Sequence, residues 1–257
     1  RGFTATALYL DDADQPIGAR FMHDATGFMF DYLRIETAPQ GFIWANSFPS
    51  SDMGEPHTQE HLLLGKGNRG RKLGSNEAMA LTESSAFTAQ WPTAYHFHTV
   101  AGPDVFWPAF DNHIDALLNP DYTDEEIRRE VRNFGVDKAS DGKLRLEEKG
   151  TVYNEMVRSY ESPEDNLWRE AGQLVYGAKH PLALDSGGFP AAIREMTPEH
   201  IRTFHASAYH LANMGVIGAF PSSLSLAGVL DHTNEILTKA AGRKGKVVRE
   251  EDLPKPR

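Results

Sequence analysis

Residues 57–65 read His57-Thr58-Gln59-Glu60-His61-Leu62-Leu63-Leu64-Gly65. Pro56 precedes them, and proline suits the first turn of a helix, where its missing N–H costs nothing. The predicted helix carries His57 to Leu64 and stops near Gly65 or Gly67. Positions i, i+3 and i+4 of a helix share one face, so His57, Glu60 and His61 project together. Two imidazoles one turn apart can grip a single metal ion, and the carboxylate between them stands beside its open position. The plainer alternative is a surface helix with two solvated histidines.

Composition limits which chemistry that face can serve. The chain has 257 residues, with 26 Lys+Arg against 36 Asp+Glu, for a net charge of −10. Hydrophobic residues make up 40% and charged residues 24%, a globular balance long enough to bury a core without disulfides. Cysteine is absent, which excludes disulfides, thiol catalysis and Cys-ligated zinc. Any metal must therefore be held by His and carboxylate. The acidic balance argues against nucleic-acid or anionic-membrane partners. No apolar run approaches the ~20 residues that cross a bilayer, so a soluble chain is expected. Arg1-Gly2-Phe3-Thr4 lacks a basic-then-apolar signal pattern. The compartment stays open among bacterial cytoplasm, periplasm and an organelle matrix.

Outward from the motif, strands cluster early. Thr4–Leu10, Gly27–Ile35 and Gly41–Phe48 read as strands, followed by Ala86–Trp91 and Ala94–Val100 joined at Pro92. Helices are predicted over 76–81, 105–118, 122–134, 146–160, 163–175, 197–208 and 222–240. Met214–Phe220 is a late strand. This order predicts an α+β fold, an antiparallel sheet flanked by helices, rather than a βαβ alternation. No glycine-rich phosphate loop follows a strand.

Catalytic zinc needs a third protein ligand. Thr151-Val152-Tyr153-Asn154-Glu155-Met156 offers one on a predicted helix, with Glu148 one heptad earlier on a similar face. On spacing alone, Glu155 is one acid among many.

The order H-x-x-E-H is the inverzincin arrangement. Together, His57–Gly65 and Glu148-Lys149-Gly150-Thr151-Val152-Tyr153-Asn154-Glu155-Met156 resemble the pitrilysin/insulinase (M16) zinc peptidases, nearest to the presequence-protease branch and its first N-terminal module. The likeness is collinear from about Gly27 to Phe220. It takes in Ser85–Ala89 with Thr93–Phe97, Ser162–Asn166, His180–Gly188, Ile193–Thr197 and Phe204–Asn213.

The resemblance implies an M16-like α/β roll binding Zn2+ through His57, His61 and Glu155, with Glu60 as general base on a zinc-bound water. Glu148 matches a second carboxylate kept near the site, outside the ligands. Substrate would lie along the strand bearing Ser85, Ala86, Phe87 and Thr88. The implied function is hydrolysis of peptide bonds in oligopeptides or small unfolded proteins. The alternative is a catalytically silent peptide-binding or scaffold module of a larger assembly. Three departures affect peptide handling rather than metal binding: Ser85 stands where the family has Asn, Leu211 where it often has Pro, and Gly218-Ala219 where it has Gly-Asp or Gly-Asn.

Family enzymes enclose the peptide between two halves, each of two related modules. Residues 1–245 are thus expected to form one module. Residues 246–257, charged and holding Pro254 and Pro256, are expected to link it to the remaining modules, its partners besides the peptide. Such an isolated module is expected to bind zinc but cleave poorly. His96 and His98, on one side of a strand, are expected to be packed or at the surface. His200, His205 and His210 are expected in surface or capping roles, and Trp44, Trp91, Trp107 and Trp168 in the core or a cleft wall.

Overall fold

The computed structural model describes residues 2–242, 245–248 and 250–255. Arg1, Arg243, Lys244, Arg249, Pro256 and Arg257, part of the expected linker among them, lie outside the described residues.

The chain opens with β1 (Phe3–Leu10), β2 (Pro16–His23), β3 (Met29–Arg34) and β4 (Gln40–Asn46). The helices α1 (Glu55–Gly65) and α2 (Gly67–Ala80) follow, then β5 (Thr82–Thr88) and β6 (Pro92–Thr99). Next come α3 (Pro103–Leu118), α4 (Asp124–Val131), β7 (Asn133–Lys138) and β8 (Leu144–Lys149). The remainder is α5 (Thr151–Ser159), α6 (Pro163–Tyr176), α7 (Pro190–Ile193), α8 (Pro198–Ala208), β9 (Met214–Phe220) and α9 (Leu226–Ala240).

One seven-stranded sheet has the order β1-β2-β3-β9-β4-β6-β5. Its pairs are antiparallel except β3 with β9. The late strand β9 returns after the helical block and inserts between β3 and β4, which makes the sheet mixed. At the far end β5 pairs only with β6 and so forms an edge. The core lies between the sheet and its helices: Phe97 of β6 stacks on Phe106 and Phe110 of α3, with centroids 5.2 and 5.7 Å away. Ile43, Tyr95, Ile114 and Leu117 are wholly buried around them.

The helix expected over 146–160 divides in two. Leu144 and Leu146 alternate with Arg145 and Glu147, and this segment pairs with β7 as a hairpin. Gly150 then turns the chain with φ 137°, where a Cβ would lie 2.4 Å from the Val131 carbonyl oxygen. Only glycine fits that turn, and α5 starts after it. The helix expected over 122–134 stops at Val131, where Arg132 turns extended, and Phe134 pairs with Glu148 as part of β7. The strand β2 was not anticipated. The helix-start chemistry fits well: Thr123 with Glu126 and Thr197 with His200 form capping boxes.

The described part of the tail lies against the body. Lys246 pairs with Asp252, the Val248 N–H donates to Asn213 Oδ1, and the Pro254 carbonyl is 2.7 Å from His180 Nε2. Among the described residues no helix is long and apolar enough to cross a membrane.

Candidate metal centre

The helix α1 is buried around most of its circumference, although it carries polar residues. Glu55, His57, Thr58 and Gln59 are buried beside Leu62 and Leu63. Buried polar groups are tolerated when bonded. Ser50 and Ser51 donate to Glu55, and Gln59 pairs with the Tyr122 hydroxyl. The helix begins at Gly54, whose φ of 76° is left-handed and where a Cβ would lie 2.3 Å from the Gly187 carbonyl oxygen. That close approach brings the Gly187 carbonyl to 3.3 Å from His57 Nδ1.

His61 Nδ1 lies 2.8 Å from Glu130 Oε1 on α4, and Lys66 Nζ lies 2.8 Å from the other Glu130 oxygen. Each Nδ1 faces an acceptor, and a neutral ring protonated there has its lone pair on Nε2. The two Nε2 atoms are 3.1 Å apart, and each is 3.6 Å from Glu155 Oε2. At that distance either a proton or a metal ion can lie between the two nitrogens. A tetrahedral ion with bonds of about 2.0–2.2 Å holds its ligand atoms about 3.4 Å apart. The three observed separations bracket that value. His57, His61 and Glu155 are the one group among the described residues whose ligand atoms converge this way. The donor set suits zinc. Glu155 is 53% exposed at its side chain, so the convergence opens to solvent on that side.

Burial works to lower the His61 pKa, but the Glu130 bond and charge, with the charges of Glu60 and Glu155, outweigh it and hold the imidazole above its usual value. Burial works to raise the Glu130 pKa, but hydrogen bonds from His61 and Lys66 pull it down to about 2. Beneath α1 the hydroxyls of Tyr95 and Tyr209 meet at 2.7 Å, and burial raises both far enough to keep them neutral.

Glu60 is outside the converging trio. Its Oε2 accepts from Thr88 Oγ1 at 2.6 Å, which ties it to the edge strand β5. Along β5, Ser85 and Phe87 alternate with Ala86 and Thr88, so the two pairs face opposite sides. Phe87 is exposed, whereas Ala86 packs against the core.

Glu148 sits on strand β8 rather than on a helix face shared with Glu155. Its carboxylate is engaged by Arg132 at 2.7 Å, Arg194 at 2.6 Å and the Tyr153 hydroxyl at 2.7 Å. Hydrogen bonds from Arg194 and Tyr153 hold its pKa down to about 2. The carboxylate that bonds a converging histidine is Glu130, which sequence reasoning missed. A signal existed: Glu130 shares its helix face with buried Ile127 and Val131, an acid on an apolar stripe.

His96 stacks on Phe42 at 4.2 Å and on His98 at 5.4 Å, which leaves the pair packed on the sheet. His200 caps α8 as expected. His205 and His210 are buried rather than at the surface, with Nε2 atoms 2.8 Å from the Leu117 carbonyl and 3.3 Å from that of Lys246. Trp107 stacks on Phe220, while Trp91 and Trp168 are exposed.

Known proteins share this architecture. No family model matches the chain. A mitochondrial presequence protease from Gibberella zeae is 31% identical over 236 residues, 84% of this chain and 21% of that protein. The crystal structure of an M16-like peptidase from Alicyclobacillus acidocaldarius superposes with a TM-score of 0.67 at 16% identity, over 100% of this chain and 54% of that one. Pitrilysin superposes with a TM-score of 0.70 at 15% identity, over 96% of this chain and 26% of that one. The chain spans only 17–21% of the length of the first curated relatives it matches.

Proposed function

The chain belongs to the pitrilysin/insulinase (M16) family as a presequence-protease-like module, and on that premise we propose that it is a zinc-dependent endopeptidase module. Its substrates would be oligopeptides or small unfolded proteins. The observation that carries this reading is the convergence of His57, His61 and Glu155 beside Glu60, next to an open sheet edge.

His57, His61 and Glu155 would hold the ion. When bound, zinc supplies Lewis acidity, which makes a water acidic and stabilises negative charge on a carbonyl oxygen. Glu60 would take the proton of the attacking water and return a proton to the leaving amine. Thr88 orients the Glu60 carboxylate by binding one of its oxygens. Glu148 would act further out by gripping the Tyr153 hydroxyl, two residues before Glu155.

Because β5 ends the sheet, its outer N–H and C=O groups can pair with an extended peptide, with affinity drawn from main-chain bonds. Ser85 and Phe87 would meet substrate from one side of that strand, Ala86 and Thr88 from the other. We place this activity in residues 1–245, with 246–257 leading to further modules. Zinc binding with slow cleavage is the expected behaviour of the chain by itself.

The test pairs zinc content with cleavage of a fluorogenic peptide under a chelator control. Glu60→Gln should keep zinc and lose turnover. Undiminished turnover in that variant would sink the mechanism, and rapid cleavage by the purified monomer would contradict the need for partner modules.

A further inference from the structure

The segment from Leu184 to Phe189 takes no part in the chemistry above, yet it touches both helices that carry the converging residues. Its Gly187 carbonyl faces His57 Nδ1, and its Ser186 carbonyl accepts the His57 backbone N–H at 3.4 Å. On the other side, a Cβ at Gly187 would lie 2.7 Å from the Met156 methyl, one residue beyond Glu155. A carbonyl in an irregular segment keeps its aim only if the segment is itself held.

Asp185 holds it. Oδ1 accepts the N–H groups of Gly187 at 2.9 Å and Gly188 at 3.0 Å. Oδ2 accepts from the Tyr160 hydroxyl at 2.5 Å and from Arg169 Nε at 2.8 Å. The Asp185 N–H donates to Asp52 Oδ1 at 2.8 Å. The side chain is only 12% exposed, so these charge-assisted bonds are little weakened by water. Arg169 lies over the Tyr160 ring, 3.8 Å from its centroid, and locks the second pair of donors. Tyr160 is the residue that ends α5. One carboxylate thus ties the end of the Glu155 helix to the peptide group that binds His57. Gln90 adds a tie to the turn after β5, donating to the Pro181 and Leu184 carbonyls at 3.0 and 2.7 Å.

We propose that Asp185 is a positioning residue of the metal centre: it aims the Gly187 carbonyl that sets the His57 tautomer and ring angle, and it clamps α5 so that Glu155 stays in register with both histidines. This rests on the reading of His57, His61 and Glu155 as metal ligands. Groups that orient a ligating histidine are each worth about 10–100-fold in metal affinity.

The test uses the full chain, with zinc affinity from chelator competition, the visible absorption of the cobalt-substituted protein, and 15N NMR of the imidazoles without metal. In the wild type, His57 should be protonated at Nδ1. Asp185→Asn retains size but presents an amide to Tyr160 and Arg169. It should bind zinc about 10–100-fold more weakly, alter the cobalt spectrum and mix the His57 tautomers, with an unchanged far-ultraviolet spectrum. A folded Asp185→Asn chain with wild-type affinity and tautomer overturns the proposal. Should that variant not fold, Tyr160→Phe removes one donor and should weaken zinc several-fold, and wild-type affinity there overturns the proposal equally. His57→Ala separates the two readings. If it binds zinc like the wild type, the ligand assignment falls and the positioning role with it. If it loses zinc while Asp185→Asn and Tyr160→Phe do not weaken binding, only the positioning role falls.

Discussion

The helices α1 and α6 begin alike and end in opposite environments. Both have proline in their first turn, but only α6 shows an apolar stripe at helical period. The first buries Glu55, His57, Thr58 and Gln59 together with Leu62 and Leu63. The second buries none of its residues and leaves Trp168 69% and Leu174 78% exposed. Apolar content alone would have ranked them the other way. Polar groups can occupy the interior where partners meet them, as Glu130 meets His61 and Tyr122 meets Gln59. The site is assembled around the buried α1, whereas α6 reaches it through Arg169, which bonds Asp185.

The largest expected difference between the helices is in metal binding. His61→Ala should abolish stoichiometric zinc uptake, while Trp168→Ala on α6 should leave it unchanged. Full zinc content in the His61 variant, measured after dialysis against a weak chelator, would break the comparison. Stability comes next. Leu62→Ala opens a cavity in a fully buried position and should cost about 2–5 kcal/mol in denaturant melts. Leu174→Ser should stay within about 0.5 kcal/mol.

A smaller effect is expected at Glu130. Glu130→Gln cannot take the His61 proton as a charged acceptor, and zinc affinity should fall by about 10–100-fold without loss of fold. Unchanged affinity would mean that the Glu130 bond is structural only.

The smallest effect concerns acid. Thr123 backbone bonding, with help from Arg71 and the Gly67 N–H, holds the Glu126 pKa down to about 2, below its value in an unfolded chain. A depressed carboxylate contributes stability above its unfolded pKa and loses it as pH falls through the folded value. Stability should therefore decline from about pH 5 toward pH 2, and Glu126→Gln should flatten that slope. An identical acid limb in the variant would rule this contribution out.

How much of the site could be read in advance follows from sequence separation. His57, Glu60 and His61 lie within one turn, so helical periodicity suffices to put them on one face. Glu155 stood out only through family likeness, because its approach to His57 depends on the α4, β7, β8 and α5 path. Glu130 lies 69 positions from His61, and no local pattern links them. Glu148 lies on a strand rather than the expected helix because Leu144 and Leu146 follow the strand period over only six residues, pair with a distant segment, and are cut off from α5 by the Gly150 turn.

By itself, the sequence determined the donor chemistry: without cysteine, a metal can be held only by imidazole and carboxylate, and one helical face supplies two imidazoles. It also determined the caps and most helix positions, because these depend on neighbours within four residues. Tertiary structure alone decided the rest. Insertion of β9 between β3 and β4 joined the two halves of the sheet, pairing with β6 alone made β5 an edge, the packing of α4 and α5 brought Glu130 and Glu155 to the histidines, and the absence of a covering layer left α6 exposed among the described residues. Each of these depends on contacts between distant segments, whose free energy comes from burial and long-range hydrogen bonds that no local periodicity encodes.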